Sequence, residues 1–199
     1  MNNIDWNFIH ELEGAGLSQG YQPTNNSGVT IASGFDLKEK NEAFCQAIGI
    51  DQRVINKLKP YFGLHGEQAK TFANSLVLEK EEVDHIDECS RHFYAKDLQR
   101  QYELYDPVVP FEELDQGQAT VLISVGFQYG SYRRTPSFIK YATDGNWDAV
   151  YEELQEFGDA FPTRRKKEAE YLKNFLEEMY SRDFDKKSNQ KTWVDFLET

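Results

Sequence analysis

Two carboxylates near the start of the chain, Glu13 and Asp36, stand where they could do acid–base chemistry. Glu13 ends an apolar-patterned segment just before a glycine, and Asp36 lies between Phe35 and Leu37, a costly place for an acid without partners. The C-terminal end of a helix is the negative pole of its dipole, which tends to keep a proton on a carboxyl there. Hydrolysis of a glycosidic bond needs such a protonated acid together with a second carboxylate.

Thr30 lies between the two acids along the chain, and its hydroxyl could hold an attacking water molecule or a sugar hydroxyl. Gly28 and Gly34 flank it and would let the backbone approach a ligand closely. A structural alternative makes Glu13 an exposed helix-end acid, Thr30 an ordinary strand residue and Asp36 the cap of the next helix. Residue types and spacing leave both interpretations open.

Glu13 is expected to lie at the C-terminal end of a first helix. Asn3 or Asp5 is a suitable N-cap for it, and its apolar residues recur at helical spacing. Gly14 or Gly16 is expected to end it, because glycine readily adopts the left-handed conformation found just after helix ends.

A hairpin and a series of helices follow. The segment SQGYQPTNNSGVTIA predicts short strands at 20–22 and 29–32, joined by a turn rich in Pro, Asn, Ser and Gly. Beyond Asp36 the pattern is helical. The predicted helices are 39–48, 51–59, 66–75, 79–104, 115–129, 136–143, 146–157 and 162–180. The aromatic residues in the tail after 180 are expected to pack back against the body.

Two of these helices have distinct patterns. The segment 119–130 is apolar nearly all round, which predicts a buried central helix. The segment 79–104 is charged except on one face, which predicts a long one-sided helix. The apolar residues of that face are Val83, Ile86, Phe93, Leu98 and Tyr102.

Composition narrows the class of protein. The 199 residues include 14% aromatic and 28% charged residues, as expected for a folded chain with one substantial core. No apolar run approaches the roughly 20 residues of a membrane span, so no membrane insertion is expected. The N-terminus lacks the pattern of a secretory signal, which predicts synthesis in the cytoplasm without a signal peptide. The net charge of -12 argues against nucleic acid as a partner.

The cysteines and histidines give little indication of a disulfide bond or a metal site. Cys45 and Cys89 could form one bridge at most, and reduced structural thiols are expected. His85, Cys89 and His92 follow i, i+4, i+7 spacing and are zinc-ligand types, but no fourth ligand is evident. The sequence therefore predicts no metal and no cofactor.

The segment GVTIASGFDL at 28–37, preceded by ELEG and GYQP, resembles the catalytic signature of the pesticin-like branch of the phage lysozyme superfamily. The Glu-Gly that ends the family's first helix matches Glu13, its strand threonine matches Thr30, and the pesticin-like Asp matches Asp36. T-even phage lysozyme carries its second acid before the threonine, whereas residues 14–29 here contain no Asp or Glu. Asp36 must then supply the second carboxylate, or the enzyme is a transglycosylase that needs one acid.

The resemblance continues in the C-terminal half. VGFQYG at 125–130 resembles the family's Phe-Gln-x-Gly helix end, and PTRRKKEAEYL at 162–172 resembles its Pro-x-Arg helix start. TWVDF at 192–196 resembles its Thr-Trp near the C-terminus. Motifs in the right order at both ends therefore cover most of the chain.

The resemblance implies an α+β, mainly α, lysozyme-like fold of two lobes in a single domain. The N-terminal lobe with its β-hairpin would comprise about 1–78, a connecting helix about 79–104, and the helical C-terminal lobe about 105–199. The substrate binds in a cleft between the lobes in this family.

The resemblance also implies a muramidase that cuts peptidoglycan at the β-1,4 bond between N-acetylmuramic acid and N-acetylglucosamine. Gln128 and Tyr129 would face the cleft and contact the substrate, and Arg164 and Arg165 would bind its acetyl carbonyls or stem-peptide carboxylates. Gly34 is expected to contact the substrate because a glycine lets the backbone approach closely. Such an enzyme acts on the periplasmic cell wall, as a phage endolysin or as an antibacterial toxin with a cognate immunity protein. A catalytically silent module that binds glycan or protein is the alternative, and the acidic surface favours it.

The run RRKK at 164–167 places four cations near the predicted start of a helix. Cations at a helix N-terminus oppose the helix dipole, so an anionic ligand there would justify them. The other interpretation is a solvated charge run that the next acids offset. Since a net charge of -12 repels an anionic cell wall, local arginines would have to compensate.

Overall fold

The computed structural model describes residues 3–14 and 16–197, and the side chains of 179, 180 and 182–197 lie outside that description. The described chain is mainly helical with one small antiparallel sheet, which confirms the predicted α+β, mainly α class. It forms two compact units. One comprises Met1–Ile9 and Asp97–Thr199, and the other comprises His10–Lys96.

The helices lie close to the predicted segments. In the described residues they are α1 Trp6–Glu13, α2 Glu42–Ala47, α3 Gln52–Leu58, α4 Gly66–Phe72, α5 Lys80–Glu103, α6 Gln116–Tyr129, α7 Pro136–Thr143, α8 Trp147–Gln155 and α9 Pro162–Leu197. Short 3-10 segments lie at Lys59–Tyr61, Ala73–Ser75, Phe111–Glu113 and Tyr132–Arg134.

The last helix differs from its prediction. It continues to Leu197 and not to 180, because no Gly or Pro follows Pro162 to interrupt it. The predicted packing of the tail aromatics concerns side chains outside the described part of the chain.

The sheet has one strand more than the predicted hairpin. Strands β1 Leu17–Tyr21, β2 Thr30–Ala32 and β3 Phe35–Asp36 are antiparallel in the order β1-β2-β3. The prediction of two strands was wrong because β3 is only two residues long and follows β2 after a tight turn, so no alternation is visible in the sequence. This short strand contains Asp36.

In the unit His10–Lys96, strand β2 is buried on both faces. Its residues, Thr30 among them, therefore have fixed surroundings. The core around it comes from the strands and from α2, α3, α4 and α5. Its fully buried aliphatic and thiol side chains are Val29, Ile31, Leu37, Cys45, Ile55, Leu58, Ala69 and Ile86.

In the other unit, helix α6 is the buried centre that its pattern predicts. Every residue from 117 to 126 is buried. Asp115 and Gln118 form a capping box at its start, and Gly130, with φ 70°, ends it in the left-handed conformation. The segment VGFQYG at 125–130, which resembles the family's helix end, therefore lies at the end of α6.

The one-sided pattern of α5 is largely confirmed. Its predicted apolar face is buried at Val83, Ile86, Leu98 and Tyr102. Phe93 is the exception, because 40% of it is exposed. Its ring packs edge-on against Phe44 at a centroid distance of 5.3 Å, on a face of α5 that is open to solvent.

Across residues 3–14 and 16–197, no helix combines the length and the apolar character that crossing a membrane requires.

Candidate active site

Helix α1 presents Glu13 at its C-terminal end. The helix begins after Asp5, whose carboxylate accepts hydrogen bonds from the N–H groups of Asn7 and Phe8 at 3.0 and 3.1 Å. It ends at Gly14, which has φ 79° and donates its N–H to the carbonyl of His10. The Glu13 side chain is exposed. The predicted cap and helix end are therefore confirmed, and the acid lies at the negative pole of the dipole.

The turn between β2 and β3 is fixed to helix α5. The N–H and the hydroxyl of Ser33 donate to the two carboxylate oxygens of Asp87, at 2.9 and 2.7 Å, and Asp87 is 5% exposed. Ala32, with φ 55°, is in the left-handed region, which costs a residue with a Cβ about 1–2 kcal/mol. The bonds to Asp87 offset this cost and anchor the turn, and the turn fixes the register of β2 and β3.

That register aligns three side chains across the sheet. Tyr21 pairs with Thr30, and Thr30 pairs with Asp36. Directly paired residues of antiparallel strands point to the same face, so these three side chains form one row. Thr30 is 1% exposed, and the side chains on either side of it are half-buried. The structure therefore brings together two of the three predicted catalytic residues.

Tyr21 is a member of this row that the sequence analysis missed. Burial, together with the nearby charge of Asp36, raises the pKa of the Tyr21 phenol. The Tyr21 phenol therefore stays neutral in the field of the Asp36 carboxylate. No local signal marks this residue, because its place follows from the pairing of β1 with β2 and of β2 with β3.

The carboxylate of Asp36 is held by backbone donors. One oxygen accepts the N–H groups of Gly28 and Lys38 at 3.1 and 2.9 Å, and the other accepts that of Gly28 at 3.2 Å. The Thr30 hydroxyl donates to the Gly28 carbonyl at 3.4 Å. Gly28 thus joins the threonine and the acid.

Asp36 does not cap the next helix. Helix α2 begins at Glu42, and its N-cap is Asn41, whose side chain accepts the N–H of Phe44. The capping alternative for Asp36 was therefore wrong, and its carboxylate belongs to the sheet.

Only a glycine fits at position 28, because neighbouring atoms leave no room for a Cβ. A Cβ on this residue would lie 2.6 Å from Asp36 Oδ1 and 2.7 Å from the Lys38 nitrogen, closer than real Cβ contacts. Gly34 differs, because it has φ 95° and a Cβ on it would meet no atom within 4 Å. Gly34 therefore serves the conformation of the turn, and its contact with substrate stays a prediction.

The predicted substrate-binding residues Gln128 and Tyr129 lie at the end of α6, and both are half-buried. The Tyr129 hydroxyl donates to Asp159 Oδ2 at 2.6 Å. Burial and this bond raise the pKa of Tyr129 to about 12. Burial alone would raise the pKa of Asp159, but the bonds from Tyr129 and the Phe161 N–H, together with Arg165, hold it below its usual value.

Arg164 and Arg165 are bound to acids of the same unit. Arg165 is 1% exposed and donates to Asp159 Oδ2 at 3.0 Å and to Glu168. Arg164 donates to Glu168 at 3.1 Å and to the carbonyl of Ser124 at 3.1 Å. The charges of the run 164–167 are thus offset in part by the next acid of the helix, and substrate binding by the two arginines stays a prediction.

The cysteines and histidines considered as metal ligands have other contacts. The Nε2 of His85 accepts a hydrogen bond from the N–H of Asp51 at 3.1 Å. The Nδ1 of His92 forms a hydrogen bond with the Glu88 carbonyl at 2.8 Å. Cys45 and Cys89 are free thiols. Within the described residues, no group of three or more His, Cys, Asp or Glu side chains is arranged to hold a metal ion.

The predicted site residues are divided between the two units. Glu13, Thr30, Gly34 and Asp36 belong to the unit His10–Lys96. Gln128, Tyr129, Arg164 and Arg165 belong to the unit that contains α6 and α9.

Comparison with known families identifies the chain's relatives. Residues 3–148 match the model of the pesticin family, which is described as a bacterial toxin homologue of phage lysozyme, C-terminal part. A search of curated proteins finds no match. The matched segment contains α1, the sheet and α6, and it ends before Arg164 and Arg165. Since it covers well over half of the 199 residues, the chain belongs to the pesticin family of phage-lysozyme homologues.

Proposed function

We propose that this protein is a muramidase that hydrolyses the β-1,4 bond between N-acetylmuramic acid and N-acetylglucosamine in peptidoglycan. Family membership supports a lysozyme-type toxin that degrades peptidoglycan. The observation that carries the proposal is the row of Thr30 and Asp36 in the sheet that directly follows Glu13 and α1. A fixed carboxylate and a helix-end acid in one compact unit are the two groups that glycosidases need.

In this proposal Glu13 is the general acid. It protonates the glycosidic oxygen as the bond to the leaving sugar breaks, so that the departing alkoxide is neutralised. The C-terminal end of α1 favours its protonated form through the helix dipole. Exposure of Glu13 leaves its carboxyl accessible to a glycan.

Asp36 is the second carboxylate. It activates the attacking water molecule or stabilises the oxocarbenium-like centre, and the Thr30 hydroxyl orients that water. The backbone N–H groups of Gly28 and Lys38 fix the position of the carboxylate before substrate binds. Such preorganisation reduces the reorganisation needed during the reaction.

Replacing Asp36 by Asn tests this role. We expect the Asp36→Asn variant to clear a suspension of purified peptidoglycan about 10²-fold or more slowly than wild type, because an amide cannot act as a base. Asp84→Asn, at an exposed carboxylate of α5, is the matched control and should retain wild-type activity. Full activity of Asp36→Asn would leave Glu13 as the sole essential acid and favour a transglycosylase.

Gly28 offers a geometric test of the same carboxylate. In Gly28→Ala the new Cβ would push Asp36 and Lys38 away, and a displacement near 1 Å can cost about 10²-fold in rate. Gly63→Ala is the control, because Gly63 has φ 76° and an open Cβ direction. It should lose about 1–2 kcal/mol of unfolding free energy but no activity. Equal clearing rates for the two variants would contradict the role of Gly28.

As a bacterial toxin homologue, the protein would act on the cell wall in the periplasm after delivery from the producing cell. A cognate immunity protein that blocks the row of Tyr21, Thr30 and Asp36 would protect that cell. A catalytically silent glycan-binding module is the outcome if wild type fails to clear peptidoglycan.

A further inference from the structure

A surface pocket adjoins Asp36 within the unit His10–Lys96. Its volume is about 370 Å³, within the range of about 300–1,000 Å³ typical of small-ligand sites. Besides Asp36, its lining combines polar groups of the hairpin with an aromatic ring from α5. The other lining residues are Asn26, Ser27, Gly34, Phe35, Lys38, Glu39, Lys40 and Tyr94.

Lys40 has an unusual environment in this pocket. Its ammonium lies 4.3 Å from the ring centroid of Phe44, 5.6 Å from that of Tyr94 and 5.9 Å from that of Phe35. It also donates to the Tyr94 hydroxyl at 3.0 Å. Aromatic faces attract a cation and hold its position without neutralising its charge.

Lys40 also differs from the neighbouring Lys38 and from the two arginines predicted to bind substrate. The ion pairs of the described residues include none with Lys40, whereas Lys38 lies 4.0 Å from a Glu39 carboxylate oxygen. Arg164 and Arg165 both pair with Glu168. Lys40 is therefore a positive charge in the same pocket as Asp36 that forms no direct ion pair with an acid of the described residues.

We propose that the pocket is a subsite for N-acetylmuramic acid and that Lys40 binds the carboxyl-bearing substituent on this sugar. The proposal rests on the proposed muramidase function and specifies how the substrate is recognised. Tyr94 is 38% exposed and offers a ring on which a sugar can pack, while Asn26 and Ser27 offer polar groups for its hydroxyl and acetamido groups. The carboxylate belongs either to the lactyl ether of the sugar or to its stem peptide, and both present the same charge to Lys40.

Binding to a non-cleaving variant separates this proposal from the proposed function. In a Glu13→Gln background, dissociation constants would be measured by calorimetry for three disaccharides. These are N-acetylglucosaminyl-N-acetylmuramic acid with a free lactyl carboxylate, the same disaccharide with its stem peptide, and neutral di-N-acetylchitobiose. Cleavage is not needed for any of these measurements.

We expect Lys40→Met to weaken binding of the acidic sugars about tenfold, because a charge-assisted bond is lost, and to leave chitobiose binding unchanged. If Lys40→Met loses affinity for the peptide-free sugar, Lys40 binds the lactyl carboxylate. If it loses affinity only for the peptide-bearing sugar, Lys40 binds a carboxylate of the stem peptide. Lys40→Arg should retain binding, which controls for damage to the aromatic cluster. Lys70→Met, at an exposed lysine of α4, controls for net charge.

Equal affinities of wild type and Lys40→Met for both acidic sugars would overturn the proposal. An equal loss of affinity for chitobiose in Lys40→Met would overturn it too, because the effect on binding would then not depend on the carboxylate. Absence of cleavage by the wild-type protein would contradict the muramidase function, yet Lys40-dependent binding of acidic sugars would still stand.

Discussion

Replacement of Glu13 by Gln is expected to lower the rate of peptidoglycan cleavage by about 10²- to 10⁴-fold, the usual contribution of a general acid. Glutamine matches the size of glutamate but has no acidic proton to donate to the glycosidic oxygen. Because Glu13 is exposed at the end of α1, the substitution should leave the thermal unfolding midpoint close to that of wild type. The measurement is the initial rate of reducing-end release from purified peptidoglycan.

Glu11→Gln provides the matched control, because Glu11 is an exposed glutamate of the same helix, two residues earlier. It should cleave at the wild-type rate. If Glu13→Gln and Glu11→Gln release reducing ends equally fast, Glu13 is not the general acid.

Replacement of Glu168 by Gln is expected to have the largest effect on stability. Glu168 is fully buried and accepts hydrogen bonds from Arg164, Arg165 and the Ser124 hydroxyl. In Glu168→Gln, Arg165 keeps Asp159 as a partner, but the largely buried Arg164 loses the acid with which it pairs. Removing one partner of a buried ion pair costs about 3–5 kcal/mol. For a chain of this size that loss lowers the unfolding midpoint by roughly 6–20 °C, at 2–4 °C per kcal/mol.

Glu170→Gln tests whether the effect is specific to the buried acid. Glu170 is exposed on the same helix, and its substitution should change stability by less than about 0.5 kcal/mol. Urea unfolding of both variants at neutral pH gives the comparison. A Glu168→Gln protein within about 1 kcal/mol of wild type would show that the ion pairs contribute little.

The sequence was sufficient to predict most of the helices and the place of Glu13 at the end of the first one. Helical periodicity, a cap at Asn3 or Asp5 and a glycine at 14 or 16 predicted α1, and an all-round apolar pattern predicted α6, because each signal is local. Residue types suggested that Thr30 and Asp36 act with Glu13 but left a structural alternative open, and the resemblance to the family favoured the catalytic interpretation. The pairing itself depends on β3, which follows β2 after a turn that the bonds of Ser33 to Asp87 anchor.

Contacts distant in sequence explain what the sequence could not predict. Tyr21 joins the row only through strand pairing. The arginines of the run 164–167 pair with Glu168 and with Asp159, and one of them reaches Ser124, 40 residues away in the chain. The local pattern shows four cations at a helix start and an acid on the same helix, Glu168, whereas the bond from Arg164 to Ser124 depends on how α6 packs against α9.

The most direct test of the proposed function is the chemistry of the fragments that the wild-type protein releases from purified peptidoglycan. After borohydride reduction, mass spectrometry should find the reduced N-acetylmuramic acid ends that hydrolysis of the β-1,4 bond to N-acetylglucosamine produces. Anhydro-sugar ends would show transglycosylation, reduced N-acetylglucosamine ends would show cleavage of the other bond, and either result would contradict the assigned reaction. Release of no fragments at all would contradict the assignment of the protein as an enzyme.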